Sequence, residues 1–170
     1  SLAGILISFT FARLVSKEFF GKYNLCLSIF SILAPLSLSG MKTAVERAVL
    51  KDYPFSLLQS VKPRLKTSLL GMLSLLGISL FYFSKDQPSI GLTLLLLILI
   101  FPLYYTFDSW SSFLKAKKLF DKASFYSTLS SFFTTLGIVL TLLFSGSLAL
   151  IVLVYFLTQT VANLLFFKKS

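Results

Sequence analysis

Few side chains in this sequence could do chemistry, and most of those are cations. Arg13, Lys17 and Glu18 stand together in ARLVSKEFFGKY, Lys42 and Arg47 share SGMKTAVERAV, Asp108 follows YYTF, and Gln159 and Asn163 lie one helical turn apart in an apolar run. Histidine is absent, and with it the usual general base, the commonest metal ligand and the usual proton switch. The one cysteine, Cys26, cannot close an internal disulfide. There are no paired carboxylates, no phosphate-cradling glycine loop, no Cys/His cluster and no nucleophile elbow. What remains is recognition by charge and hydrogen bond, which points away from an enzyme and calls for no cofactor.

Each candidate has an ordinary alternative. Arg13 and its neighbours either anchor the chain at a membrane interface, or Arg13 turns inward, where its planar fork stays charged and binds oxygens in pairs. Lys42 and Arg47 fit the basic excess of a cytoplasmic loop. Asp108 is either a buried carboxylate that couples transport to a proton or cation, or an interfacial one paired with a lysine. Gln159 and Asn163 carry more hydrogen-bonding capacity than helix packing requires.

The elements that must position these residues are membrane helices. A chain that is 56% hydrophobic, 16% aromatic and 13% charged, with mean hydropathy +0.87, lies outside the range of soluble globular domains. Apolar runs fall at about 1–12, 24–40, 67–83, 90–107, 124–144 and 147–167. Runs of ~18 to 21 residues rise roughly 27 to 32 Å, the thickness of a bilayer core. The expected fold is therefore all-α: one polytopic transmembrane bundle over residues 1–170, with six helices. The first is expected to be truncated, since its run is short and the sequence begins with Ser1. Pro35 and Pro102 should kink the second and fourth helices, with Pro54, Pro63 and Pro88 in loops. The net charge of +10 could suggest nucleic acid, but the cations punctuate apolar runs rather than forming one basic face.

Orientation follows from the loops. Lys42, Arg47, Lys51, Lys62, Arg64, Lys66, Lys115, Lys117, Lys118, Lys122, Lys168 and Lys169 fall at one set of ends, and only Arg13, Lys17, Lys22 and Lys85 at the other. The basic set is expected on the cytoplasmic side, with both termini. Polar stripes mark the faces that should avoid lipid. Ser124, Ser127, Thr128, Ser131, Thr134, Thr135 and Thr141 recur at helical spacing on the fifth run. Tyr155, Gln159 and Asn163, with Thr160 nearby, do so on the sixth, and Asn24, Ser28, Ser31 and Pro35 on the second.

Ala12, Arg13, Glu18, Phe20, Gly21 and Tyr23, together with the later stretch SFLKAKKLFDKASFYSTLSSFF, carry a family likeness. In them the chain resembles the polysaccharide (O-antigen type) flippases of the multidrug/oligosaccharidyl-lipid/polysaccharide exporter superfamily. That resemblance implies the N-terminal lobe of an alternating-access transporter in a bacterial cytoplasmic membrane, completed by a C-terminal helical lobe of the same chain. The implied cargo is a polyprenyl-pyrophosphate-linked oligosaccharide. Arg13 would hold its pyrophosphate, Lys42 and Arg47 would receive it from the cytoplasmic side, and Gln159 and Asn163 would line the path. A multidrug and toxin extrusion antiporter is the nearest rival, although such proteins usually need carboxylates deep in this lobe. An integral membrane enzyme acting on lipid-linked sugars is more distant, for want of histidine and clustered acids.

Overall fold

The computed structural model describes residues 16–53, 56–144 and 147–169. Within them every regular element is helical: α1 (Lys17–Ile32), a 3-10 turn (Ala34–Ser37), α2 (Met41–Leu50), α3 (Ser56–Gln59), α4 (Val61–Ser84), α5 (Pro88–Thr106), α6 (Trp110–Ala116), α7 (Phe120–Phe144) and α8 (Leu148–Lys169). Four stretches are long and apolar enough to cross a bilayer, namely Leu57–Ser84, Pro88–Ala116, Phe120–Phe144 and Leu148–Lys169. The protein is an all-α, multi-pass membrane bundle. The shortest of the four has 22 residues, which rise about 33 Å and match the hydrocarbon core. Leu73, Leu99, Phe144 and many other large apolar side chains stand exposed on the outer surface, where acyl chains are their solvent. The expected first helix, 1–12, lies outside the described residues.

Residues 17–23, which precede the second apolar run, form the start of α1. Ser16 caps it, its hydroxyl accepting from the Phe19 N–H at 3.2 Å, and Lys22 pairs with Glu18 one turn earlier at 2.6 Å. That ammonium holds the exposed Glu18 carboxyl below its usual range. The run expected as one helix over 24–40 ends at Ile32, because Pro35 lacks the N–H that would continue the ladder. The chain tightens into the 3-10 turn, passes through Leu38 in the left-handed region (φ 54°) and restarts as the separate helix α2. Pro102 stays within α5. Pro63 and Pro88 belong to the first turns of α4 and α5 rather than to loops, positions where a missing N–H leaves no bond unmade. The polar face of α1, with Asn24, Ser28 and Ser31, is exposed rather than packed inside the described bundle.

The core is aromatic and sits where α1, α5 and α8 meet. Phe30 lies tilted against Phe156 with ring centroids 3.9 Å apart, meets Phe101 edge-on at 5.1 Å, and stacks on Tyr105. The Tyr105 hydroxyl donates to the Phe30 carbonyl at 3.1 Å, a group near the end of α1 where the ladder lacks its next donors. Helices α4 and α5 approach most closely along the face Arg64, Ser68, Gly71, Leu75 and Ser79, all buried. A methyl group on Gly71 would fall 2.1 Å from Phe101 Cε1, so only glycine fits there. Ser79 Oγ donates across the same seam to the Gly91 carbonyl at 2.7 Å.

Candidate functional site

Three interruptions of helix meet at the basic end of the bundle. They are the end of the 3-10 turn at Ser37, the first turn of α4, and the bend Phe107–Ser109 between α5 and α6. Each presents backbone or side-chain groups that a continuous helix would have paired. Arg64 bridges all three. Its Nε donates to the Ser37 carbonyl at 3.4 Å, its Nη1 donates to Ser109 Oγ, and the same nitrogen lies 2.8 Å from Asp108 Oδ1. The other Asp108 oxygen, Oδ2, lies 2.7 Å from Lys42 Nζ on α2. One carboxylate thus serves two cations of unequal standing: the Arg64 side chain is 0% exposed, that of Asp108 11% and that of Lys42 41%.

The triad is not saturated. Arg64 Nη2 finds no partner among the described residues, and Asp108 Oδ1, although close to Nη1, lies off every hydrogen-bond direction. Two positive charges against one negative leave the cluster with an excess of one. Lys115 adds another cation close by.

A cleft of about 450 Å³ opens beside this triad. Lys42, Asp108 and Lys115 supply its charge, Ser111, Ser124, Ser127 and Thr128 its hydroxyls, Gln159 and Asn163 its amides, and Tyr104 and Trp110 its aromatic surface. Asn163 is fixed from two sides. Its Oδ1 accepts from Trp110 Nε1 at 3.0 Å, and its Nδ2 donates to the Tyr104 carbonyl at 3.3 Å, in the last turn of α5. Gln159 joins α7 to α8, accepting from Ser130 Oγ and donating to Thr134 Oγ1, both at 3.2 Å. These bonds use part of each amide, leaving an N–H and a lone pair on each for a ligand. Tyr126 and Phe166 stack with planes 1° apart behind Trp110 and close the wall.

The structure therefore gathers Lys42, Asp108, Gln159 and Asn163, far apart in sequence, around one polar opening. Arg47 is not among them: it is exposed on α2 and does not line the cleft. Arg13 lies outside the described residues. Asp108 does pair with a lysine, but with Lys42 across the bundle rather than with Lys115 on its own side. On the fifth expected run the stripe divides. Ser124, Ser127 and Thr128 face the cleft, while Thr134, Thr135 and Thr141 turn their hydroxyls back to carbonyls four residues earlier.

Sequence reasoning passed over Arg64, Ser109 and Trp110. For Arg64 a signal existed, because the small residues Ser68, Gly71 and Ser79 follow it at helical spacing and mark a buried face that begins before residue 67. A scan of protein-family models matches none to the chain, and neither the curated proteins nor the solved structures yield a match.

Proposed function

We propose that this chain forms one lobe of a membrane transporter whose cargo is an anionic, lipid-linked oligosaccharide carrying a pyrophosphate. The single observation behind the proposal is the cleft: a polar, net-positive opening at the basic end of a bundle that exposes many large apolar side chains. A phosphate group needs cations and donors, which Lys42, Lys115 and the serine and threonine hydroxyls supply. Sugar hydroxyls need amides, hydroxyls and aromatic faces, which Gln159, Asn163, Tyr104 and Trp110 supply. The likeness of the stretch Ala12–Tyr23 to polysaccharide flippases agrees with such a cargo. By the same likeness the lobe works against a second helical lobe in a bacterial cytoplasmic membrane, with its basic end inward.

Asp108 could couple this movement to an external cation only if that cation displaced Lys42 or Arg64 from it. This is the requirement that an antiporter reading adds. The test is translocation of a fluorescent pyrophosphate-linked oligosaccharide lipid by the full-length protein in proteoliposomes. Lys42→Gln combined with Lys115→Gln should lower the initial rate at least tenfold at equal protein content, the order expected when a desolvated phosphate loses its cations. An unchanged rate would remove the cleft from the transport path.

A further inference from the structure

We infer that the anionic ligand of the cleft binds by ion-pair exchange, taking Lys42 from Asp108 while Arg64 stays behind to hold the carboxylate. This rests on the proposed function, in that it assumes a phosphate-bearing ligand, and it adds how the site recognises and releases that ligand.

The unequal burial of the two cations decides which one can move. Arg64 has no exposed side-chain surface and is tied to Ser37, Ser109 and Asp108 at once, so it has nowhere else to go. Lys42 is on the rim, lines the cleft, and among the described residues makes one ion pair, through a flexible stem with a compact, rotatable charge. If Lys42 were the only partner of Asp108, its departure would strand a nearly buried carboxylate, which is costly. Arg64 removes that obstacle.

The unformed half of the Arg64–Asp108 pair supports the same conclusion. Arg64 Nη2 and Asp108 Oδ1 both lack hydrogen bonds among the described residues, although they belong to side chains already in contact. A small rotation of either side chain would turn the single contact into a two-pronged one, the stronger geometry for guanidinium and carboxylate. The triad therefore holds a compensating interaction in reserve for the moment Lys42 leaves. Lys42 exchanges one anion for another, and Asp108 is never left without a cation.

The shared chemistry of the ligand is a phosphate or pyrophosphate group, whether on a lipid or free in solution. The experiment is ligand-induced difference infrared spectroscopy of the full-length protein in nanodiscs, following carboxylate stretching bands, alongside binding measured by quenching of Trp110. The probes are farnesyl pyrophosphate and inorganic pyrophosphate. Exchange predicts a carboxylate band change in the native protein that vanishes in Asp108→Asn. It also predicts that Lys42→Gln weakens binding roughly tenfold and abolishes the band change. Lys42→Gln leaves the Arg64–Asp108 contact in place, so it reports even if Asp108→Asn folds poorly. A response at lower concentrations of the lipid probe identifies a lipid source, and equal responses identify a soluble one; both support the exchange. Tight binding with no Asp108 signal would overturn the exchange and leave the cleft's ligand class standing. Failure of both probes to bind would overturn the two together.

Discussion

At the scale of single residues, the controlling fact is that a buried ionic group is tolerated only in company. Arg64 is fully buried, and its cost is offset by Asp108, the Ser109 hydroxyl and the Ser37 carbonyl. Arg64→Met should leave Asp108 with Lys42 alone and Ser37 and Ser109 unpaired, destabilising the bundle by ~3 kcal/mol in thermal unfolding. Adding Asp108→Leu should restore most of that loss, because the buried charges then disappear together and Lys42 can reach water. If the double variant proves less stable than the single one, Arg64 and Asp108 are not the mutually compensating buried pair described. Asp108 and Lys42 could be picked out in the sequence as chemically capable residues. Their mutual contact could not, because the residues lie in helices whose packing the sequence does not state. Arg64 was hidden by a local feature, the basic run VKPRLK, which reads as a loop until the small residues after it are seen to continue its face.

At the scale of elements, close helix packing decides what can be changed. The seam of α4 on α5 has Gly71 against the Phe101 ring, which is itself fully buried and packed on Phe30 and Tyr105. Gly71→Ala should therefore force a shift in the core and cost about 1 to 3 kcal/mol. Gly77, on the same helix with nothing within 4 Å of an added methyl, is the control. There alanine should be neutral or gain up to ~1 kcal/mol from helix propensity. Unfolding midpoints of the two variants in one detergent make the comparison, and equal effects would mean that α4 does not pack on α5 along this face. The breaks between elements matter as much as their packing. Pro35 ends α1, so Lys42 rides on the short helix α2 rather than at the end of a membrane span. Without that break and the bend at 107–109, Lys42, Arg64 and Asp108 could not converge.

At the scale of the whole molecule, the charge is polarised. The contacts of Asp108 with Lys42 and Arg64, of Phe107 with Phe167 and of Trp110 with Phe166 bring the basic ends of four helices, α2, α4, α6 and α8, to one side. Among the described cations, only Lys17, Lys22 and Lys85 lie at the opposite ends. Retention of basic loops predicts that this side faces the cytoplasm. A cysteine at Asp86 should then react with an impermeant thiol reagent in intact cells and one at Asp52 should not. Both positions are exposed, and the native Cys26 is fully buried and adds little background. Labelling at Asp52 alone would reverse the topology. Composition and apolar run length by themselves determined the membrane setting, the helical class and the asymmetry of charge, because a bilayer selects on hydrophobic length and loop charge, and both can be counted along a chain. Periodicity placed Ser124, Ser127, Thr128, Gln159 and Asn163 on polar faces. Only the tertiary structure decided that those faces share a cleft with Lys42 and Asp108, that Arg47 turns away from it, and that Arg64 is the buried partner. Which helices cross, and where, depends on side-chain fit such as Phe101 against Gly71, and that fit depends on residues separated by whole helices.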